Sequence, residues 1–438
     1  MYRKDSIIIE EWLKSSNKAL LVTGARQIGK TWLIREEIAQ SGYTKFEINF
    51  IDQPDLVDYL NAKMSADEFL MKLKMIMPED CKPQETIVFF DEIQKCPEIV
   101  TKIKFLVEEG SFKYVMSGSL LGVELKGIAS VPVGYLTVLR MYPMDFEEFL
   151  WAIGDKITVD TIKLLIKNKK PAGNALHRNL MRIFRLYMLV GGMPQAVETY
   201  IQQNNLQAVD EVKREIVDLY EEDFVKVDGT GLAGDIYDAI PANLSSNASR
   251  YVLSNAREGT RVEQVRELIP DMLSSHTVNI AYHANNPGVG MALEKDAGRY
   301  KLFLSDVGLF VTLVFKDKSY TENVIYNKLL SDKLDTNLGY VYENVVAQML
   351  IVKGNNLFYY TMESETSNHL YEIDFLISKG DKICPMEVKS GNYRTHKSLD
   401  VFCDKFSRRI RDKYVVHTKD YKRENGIHYI PVYMVPFL

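Results

Sequence analysis

A glycine-rich octapeptide near the start of the chain has residue types and a spacing suited to binding the phosphates of ATP. Residues 24–31 read GARQIGKT and match the pattern GxxxxGK[ST]. In this pattern backbone N–H groups surround the β-phosphate and the lysine reaches the β- and γ-phosphates. The final hydroxyl binds Mg²⁺, which gives Thr31 that role here. The predicted contacts with ATP are Gly24, Ala25, Arg26, Gln27, Ile28, Gly29, Lys30, Thr31 and Trp32.

Two acids at the end of an apolar run supply the second half of such a site. Asp91 and Glu92 follow the run TIVFF at residues 86–90. The carboxyl end of a parallel strand is where open α/β sheets place their ligands. We expect Asp91 to hold Mg²⁺ and Glu92 to polarise the attacking water. An Asp-Glu pair can also cap a following helix, but the phosphate-binding pattern upstream favours the catalytic interpretation.

Three further residues of this half have two interpretations each. Ser117 and Ser119 follow the next strand-like run, where a hydroxyl either senses the γ-phosphate or only belongs to a turn. Arg140 is either an arginine finger, which stabilises charge on the transferred phosphate, or a surface charge. The surface interpretation of Arg140 is favoured because most arginines in proteins are exposed.

A second group of residues with catalytic potential lies near the C-terminus. Glu387 and Lys389 are two residues apart in MEVKS, so their side chains share one face of a strand. Asp374 lies in the strand-like run EIDFLI, and Glu343 lies on an amphipathic helix. Glu343, Asp374 and Glu387 predict a Mg²⁺ site that activates water for phosphodiester cleavage. Lys389 would stabilise the developing charge, although cross-strand ion pairs explain the same residues.

The flanking sequence predicts the elements that position these residues. Short apolar runs at 19–23, 86–90 and 113–117 alternate with helical segments, which predicts a parallel sheet covered by helices on both faces. The phosphate-binding turn then leads from a strand into the N-terminus of a helix, whose positive end favours anions. From residue 338 onward, the order of helix, three strands, helix and strands predicts a second, compact α/β domain.

The N-terminal half resembles the prokaryotic AAA-type ATPases of the archaeal-ATPase group. The likeness rests on VTGARQIGKT, FFDEIQ, SGSLLG, YPMDFEEFL and GGMPQAV, of which the last two are not general P-loop features. It implies a helical lid after the core and a motif serine at Ser117 or Ser119. The family's usual Gly-Arg pair is Gly134-Tyr135 in this chain, so the likeness does not assign an arginine finger.

The C-terminal part resembles the PD-(D/E)xK, or restriction-endonuclease-like, fold, which the same ATPase family carries at its C-terminus. The likeness rests on KLFLSDVGL at 301–309, YEN at 342–344, EIDF at 372–375 and EVKSG at 387–391. It implies that Asp374, Glu387 and Lys389 form the catalytic group. Because this fold can persist for binding alone, cleavage and binding without cleavage both stay open.

The expected fold class is α/β, with four parts along the chain. The middle of the chain is mostly helical, and a strand pair around 278–304 has the rhythm of a winged helix. The parts are a P-loop AAA-type parallel-sheet core at 1–145, a helical lid at 146–232, a winged-helix-like region at 233–325 and a restriction-endonuclease-like α/β domain at 326–438.

Bulk composition excludes several classes of protein. A net charge of −5 over 438 residues argues against a chain coated in nucleic acid along its whole length. The segment 392–425, with ten Lys or Arg against five Asp or Glu, is either a DNA-binding surface or a solvated helix face. The four cysteines form no CxxC pair, which argues against zinc and disulfides. No apolar run is long enough for a membrane helix, so a cytoplasmic protein is expected.

Two functions from different classes fit this sequence. The first is a Mg²⁺-dependent ATPase that acts on or binds DNA through its nuclease-like domain. The alternative is an ATP-controlled switch or scaffold whose C-terminal domain binds a partner without cleaving it. Assembly with further copies of the chain and binding of an unknown protein partner are both compatible with the sequence.

Overall fold

The computed structural model describes residues 1–119, 134–246, 248–318, 320–331, 339–364 and 370–438. The chain forms two compact units. The first comprises Met1–Tyr142 and Pro270–His276, and the second comprises Pro143–Ile269 and Thr277–Leu438. Among the described residues, no helix has both the length and the apolar run that crossing a bilayer requires.

The first unit contains a five-stranded parallel sheet in the order β2-β3-β4-β1-β5, which confirms the predicted sheet. Strands β1 and β3 are buried along their whole length because both of their faces are covered. The strands are β1 Ala19–Thr23, β2 Thr44–Asn49, β3 Thr86–Asp91, β4 Lys113–Gly118 and β5 Leu136–Arg140. The helices are α1 Asp5–Ser15, α2 Lys30–Ser41, α3 Pro54–Leu60, α4 Ala66–Ile76 and α5 Glu98–Glu109, with a 3₁₀ turn at Ile93–Lys95.

The core of the first unit is apolar on the side of the sheet that faces α4 and α5. Phe90 of β3 packs between Phe50 and Tyr114, with ring centroids 6.1 and 6.3 Å away. This stacking holds the end of β3, where the sequence places Asp91, in a fixed position relative to its neighbouring strands.

The second unit begins with a helical region, as the sequence predicts. These helices are α6 Phe146–Ala152, α7 Ile157–Asn168, α8 Asn174–Val190, α9 Pro194–Gln203, α10 Leu206–Asp228, α11 Leu232–Asp238, α12 Ile240–Ser245 and α13 Val262–Ser274, the last of which has residues in both units. Asp145 caps α6 because its carboxylate accepts from Glu148 N (2.9 Å), while the Glu148 carboxylate accepts from Asp145 N (3.1 Å). This capping box accounts for the DFEEF part of the YPMDFEEFL motif.

The rest of the second unit is built around an eight-stranded mixed sheet in the order β12-β13-β11-β10-β9-β8-β6-β7. Its strands are β6 Val278–Ala284, β7 Lys295–Leu304, β8 Leu357–Glu363, β9 Leu370–Lys379, β10 Lys382–Lys389, β11 Lys413–His417, β12 Lys422–Glu424 and β13 Ile427–Pro431. The remaining helices are α14 Val307–Val314, α15 Asn323–Leu330, α16 Gly339–Val352 and α17 Lys397–Lys405. Short 3₁₀ turns lie at Leu253–Asn255, Met291–Leu293, Ser407–Arg409 and Val432–Phe437.

The strand pair predicted around 278–304 exists, but it does not form a separate wing. Strand β6 pairs in parallel with β8, with Ala281 opposite Leu357, and β7 continues the sheet beyond β6. The predicted winged-helix-like region 233–325 and the predicted domain 326–438 therefore share one sheet. The expected boundary at 326 is corrected on this point, because pairing between strands distant in sequence is not visible in local spacing.

Two glycine-containing motifs of the second unit pack against each other. Gly191, from GGMPQAV, has φ +82°, and a Cβ at this position would lie 2.5 Å from Asp306 Oδ1 and 2.8 Å from Gly308 Cα. Gly192 N donates to Asp306 Oδ2 at 2.6 Å. Only glycine allows α8 to approach the start of α14 this closely. Packing therefore accounts for the glycines of the two motifs, GGMPQAV and KLFLSDVGL.

Candidate nucleotide site and carboxylate cavity

The octapeptide forms a tight loop between β1 and α2 that needs glycine at its first position. Gly24 has φ +154°, and a Cβ there would lie 2.4 Å from Met141 O. Gln27 and Gly29 have φ values of 64° and 89°, so the loop turns through left-handed conformations on its way to the helix. The backbone at the N-terminus of α2, with its unpaired N–H groups, is therefore available to an anion.

Lys30 lies inside this loop. Its Nζ donates to the carbonyl oxygens of Gly24 (3.0 Å) and Ala25 (2.7 Å). Burial lowers the pKa of Lys30 to about 8, and the nearby carboxylates of Glu92 and Asp91 only partly oppose that effect. The ammonium is still the main form at neutral pH, which is the form that attracts phosphate.

Arg3 supports the loop from outside, a role that the sequence did not indicate. Its buried guanidinium donates to Ile28 O (2.9 Å) and to Tyr142 O (2.7 Å). These bonds fix the backbone of the loop to the N-terminal segment. A single arginine 21 residues before the motif carries no local signal of this kind.

Asp91 is the centre of the polar contacts at the carboxyl end of the sheet. Its buried carboxylate accepts from Thr31 Oγ1 at 3.0 and 3.1 Å, from Asn49 Nδ2 at 3.1 Å and from Ser117 Oγ. Asn49 is directly opposite Asp91 in the register of β2 and β3. The structure thus brings together the predicted Thr31, Asp91 and Ser117 and adds Asn49, which sequence reasoning missed.

Glu92 follows Asp91 in an unusual backbone conformation. Its φ of 55° and ψ of 48° lie in the left-handed region, which costs a non-glycine residue about 1–2 kcal/mol. Gln94 Nε2 donates to Glu92 Oε2 at 2.5 Å. The turn and this bond together fix the direction of the Glu92 carboxylate, so Gln94 is a second contributor that the sequence did not reveal.

The other predicted residues of the first unit occupy different surroundings. Ser119 is buried just beyond β4, whereas Trp32 on α2 is 48% exposed. Arg140 is exposed and its guanidinium lies 5.0 Å from the centre of the Tyr142 ring. Residues 120–122 of the SGSLLG motif lie outside the described residues.

His276 reaches the same sheet edge from a distant part of the sequence. Its Nε2 is 3.1 Å from Oγ1 of Thr23, the last residue of β1. Burial, and then the positive charges of Arg140 and Lys30, lower the pKa of His276 to about 3. The imidazole is therefore neutral at physiological pH. Nothing in the local sequence around His276 signals this contact.

The predicted C-terminal residues line a cavity of about 820 Å³ in the second unit. We call it the carboxylate cavity after its charged residues. Glu343, Glu372 and Asp374 can each place one carboxylate oxygen within 4.8 Å of the other two, a spacing suited to a metal ion. Glu372 was not predicted, although it is two residues from Asp374 and so shares its strand face. The charged residues of the cavity are Lys301, Glu343, Glu372, Asp374, Glu387 and Lys389.

Hydrogen bonds hold the acids of the carboxylate cavity in place. Asp374 Oδ2 accepts from Val388 N at 2.6 Å, which ties β9 to β10. Glu387 Oε1 pairs with Lys389 Nζ at 2.7 Å, while Glu387 Oε2 is buried with no hydrogen-bond partner among the described residues. Such a group is expected to receive a cation or a donor.

Burial and neighbouring charges shift the pKa values of these acids. Burial, and then the charge of Glu343, raises the pKa of Asp374 well above its ordinary value, against the opposing effect of Lys301. Burial also raises the pKa of Glu387, which Lys389 partly offsets. A divalent cation would reverse these shifts, because it favours the charged carboxylates.

The basic segment 392–425 is partly engaged within the chain. Arg409 donates to Pro287 O at 2.7 Å, and Lys422 pairs with Glu424 at 2.5 Å. The two interpretations of this segment, a nucleic-acid surface and a solvated face, therefore both remain.

Three family models match parts of the chain. Residues 16–150 match an AAA domain. Residues 181–320 and 338–435 match two domains of unknown function, DUF8612 and DUF4143. No curated protein matches the chain.

Several solved structures show distant similarity. A Walker-type ATPase of Pyrococcus abyssi is 15% identical to this chain, with a TM-score of 0.41. The match covers 71% of this chain and 95% of the Pyrococcus chain. Cdc6p from Pyrobaculum aerophilum is 15% identical with a TM-score of 0.26, covering 75% and 92%. AMPPCP-bound DnaA from Aquifex aeolicus is 13% identical with a TM-score of 0.30, covering 61% and 89%.

The AAA-domain match contains the central residues of the nucleotide site. The phosphate-binding loop, Asp91 and Ser117 all lie within residues 16–150, and the parallel sheet places them at one edge. Residues 16–150 of this chain therefore form an AAA-type domain with a P-loop fold.

Proposed function

We propose that the chain binds ATP with Mg²⁺ and hydrolyses it at the site around Lys30, Thr31 and Asp91. One observation carries the proposal. The Thr31 hydroxyl lies 3.0 Å from the Asp91 carboxylate, next to the phosphate-binding loop. A loop hydroxyl and a strand-end acid are the pair that holds Mg²⁺ in P-loop ATPases.

The loop fits a chain of phosphates. A side chain at Gly24 would collide with Met141 O and Ile28 Cδ1, so glycine is needed for the loop to keep this conformation. The Lys30 ammonium, which donates to the carbonyls of Gly24 and Ala25, carries three N–H donors in total. Phosphate oxygens would compete for these donors as charged acceptors, which form the stronger hydrogen bonds.

The acids and their neighbours fit hydrolysis. Magnesium, when bound, neutralises negative charge on the phosphates. Asn49 and Ser117 keep the Asp91 carboxylate turned towards Thr31. Glu92 would accept a proton from the attacking water, and Gln94 would hold Glu92 in position.

Steady-state phosphate release tests the proposal. Lys30→Ala is expected to lower ATP turnover by about 100-fold or more, since it removes a charge that stabilises the transition state. Lys63→Ala removes an exposed lysine of the same unit and is expected to leave turnover unchanged. Turnover that survives in Lys30→Ala would count against this site.

A second function is proposed for the carboxylate cavity: metal-dependent cleavage of phosphodiester bonds in DNA. It is supported by the four carboxylates and by Lys389 in one cavity, which are the residue types that activate water with a metal and stabilise a phosphate. Asp374 and Glu387 would hold the metal, together with Glu343. The likeness to the restriction-endonuclease-like fold favours the same assignment.

Nicking of plasmid DNA with Mn²⁺ tests this second function. Asp374→Asn and Glu387→Gln are expected to abolish nicking, while Asp381→Asn, at an exposed acid in the turn between β9 and β10, keeps it. The alternative, a switch or scaffold, predicts no nicking by the wild type and an ATP-dependent change in oligomer size. Size-exclusion chromatography with and without ATP distinguishes the two.

A further inference from the structure

Lys301 lines the carboxylate cavity, but the proposed cleavage assigns no role to this residue or to its strand. It lies on β7, its side chain is 6% exposed, and its Nζ is 3.1 Å from Glu343 Oε1 and 2.5 Å from Glu372 Oε1. The ammonium also lies 5.7 Å from the centre of the Tyr359 ring. Lys301 is thus held by two carboxylates and an aromatic face.

With all four of its carboxylates ionised, the cavity carries more negative than positive charge, which either bound protons or an additional cation would balance. Four carboxylates, those of Glu343, Glu372, Asp374 and Glu387, face the two ammonium groups of Lys301 and Lys389. Two negative charges remain, and buried unpaired charge is costly. One divalent cation would bring the total to zero, whereas two would leave an excess of positive charge.

Two acids of the cavity, Asp374 and Glu387, form no ion pair with Lys301 in the structure, and Glu387 pairs with Lys389 through Oε1 only. Lys301 bonds Glu343 and Glu372, whereas Asp374 accepts from a backbone N–H. The Glu387 side chain is 4% exposed, and its Oε2 is buried with no partner among the described residues. This orphaned oxygen is independent of the acidic cluster and points to a cation on the Asp374 and Glu387 side.

We propose that the ammonium of Lys301 holds the place of a second cation, so that the carboxylate cavity accepts one divalent ion, next to Asp374 and Glu387. This inference rests on the proposed metal site. Two-metal nucleases bind two ions about 3.5–4 Å apart, which flank the scissile phosphate. In this cavity a fixed ammonium supplies the charge of one of them, and Lys301 acts as a positioning residue for Glu343 and Glu372.

Titration of the full, nucleotide-free chain with Mn²⁺, followed by calorimetry, tests the inference. The wild type is expected to bind one Mn²⁺ that Asp374→Asn abolishes. Lys301→Met is expected to bind a second Mn²⁺, or to bind the first about tenfold more tightly, because it removes a positive charge beside the site. Lys295→Met, an exposed lysine on the same strand, should behave as the wild type.

Lys389→Met is the matched control inside the cavity. It also removes one ammonium, but from Glu387 rather than from the Glu343 and Glu372 pair. Lys389→Met is expected to bind one Mn²⁺ per chain, as the wild type does. A second Mn²⁺ in Lys389→Met as well would show that any lost charge recruits an ion, and the specific role of Lys301 would be overturned.

The outcomes separate this inference from the proposed cleavage. One ion in both the wild type and Lys301→Met, with affinities within about twofold, overturns the role of Lys301 but leaves the metal site standing. No ion in the wild type and one in Lys301→Met overturns the proposed single-ion site of the wild-type cavity and rejects metal-dependent cleavage. No ion in either variant rejects both. Should Lys301→Met fail to fold, Lys301→Gln, which keeps a hydrogen-bond donor without charge, serves in the same titration.

Discussion

The nucleotide site and the carboxylate cavity both centre on an aspartate, but they surround it in opposite ways. Asp91 accepts hydrogen bonds from the neutral side chains of Thr31, Asn49 and Ser117. Asp374 instead lies among Glu343, Glu372 and Glu387, with lysines between them. The first aspartate is oriented by dipoles, and the second is crowded by like charges.

Under the two proposed functions, the difference corresponds to two ways of preparing a site for a cation. Neutral donors fix the Asp91 carboxylate without cancelling its charge, which stays available to an ion that arrives with ATP. In the carboxylate cavity burial raises the pKa of Asp374 and Glu387, and the charge of Glu343 adds to this effect at Asp374, so protons compete with a metal. The two sites should therefore respond differently to mutation and to pH.

Replacing each of the two aspartates by asparagine, in separate variants, gives the largest expected effects on ATP turnover and on Mn²⁺ binding. Asp91→Asn should lower ATP turnover by about 100- to 1000-fold, since a neutral amide is a poorer metal ligand and gives less electrostatic stabilisation. It should leave Mn²⁺ binding in the cavity unchanged, and Asp374→Asn should show the reverse pattern. Phosphate release and Mn²⁺ titration are measured on both variants, with Asp58→Asn, an exposed acid of the first unit, as the control. Loss of both activities in either variant would refute the comparison.

Gly191→Ala tests whether close packing at the end of β7 stabilises the carboxylate cavity. Gly191 packs against Asp306 and Gly308, which follow directly on the strand that carries Lys301. A methyl group there combines overpacking with backbone strain and should lower the free energy of unfolding by about 2–4 kcal/mol, and weaken Mn²⁺ binding.

Gly354→Ala is the matched control for this packing. Gly354 also has φ +82°, but a Cβ there would have no neighbour within 4 Å. The free energy of unfolding of this variant should fall only by the contribution of backbone strain, about 1 kcal/mol. Chemical denaturation measures both variants, and equal losses would mean that strain rather than packing dominates at Gly191.

The sequence revealed the nucleotide site more fully than the cavity, for a physical reason. The phosphate-binding loop is one contiguous segment whose glycines and lysine must be adjacent, so its pattern is local. Arg3, Asn49 and His276 join it only through the fold, and no spacing in the sequence links them to it. Asn49 ends β2 and lies opposite Asp91 in the register of β2 and β3, which only the fold reveals.

The cavity was predicted in part because its residues come from distant elements. The alternation of Glu372 and Asp374 on β9 was visible, yet only Asp374 was assigned. Lys301 belongs to β7, which local spacing placed in a winged helix. Its role depends on the pairing of β6 with β8, and pairing across that distance in sequence leaves no periodic signal.

ATP turnover at the nucleotide site and Mn²⁺ affinity of the carboxylate cavity should depend on pH in opposite directions. The pKa of Lys30 is lowered to about 8, so kcat/KM for ATP should fall by about tenfold per pH unit above that value as the ammonium loses its proton. The raised pKa values of Asp374 and Glu387 mean that Mn²⁺ affinity should fall as pH is lowered, starting above the ordinary carboxylate range. Turnover and Mn²⁺ titrations across neutral pH compare the two, and a shared direction of change would contradict the contrast drawn between the sites.

The smallest expected effect concerns the orientation of Glu92. Gln94→Leu removes the hydrogen bond from Gln94 Nε2 to Glu92 Oε2 but keeps most of the buried volume. A hydrogen bond to a charged group contributes about 1.5–3 kcal/mol, but Glu92 is also fixed by its own backbone turn, so we expect kcat to fall about fivefold with KM unchanged. Gln94→Glu is the stricter variant, because its like charge should turn Glu92 away and lower kcat further. If both variants keep full turnover, Glu92 does not depend on Gln94, and the left-handed turn at residue 92 alone positions the base.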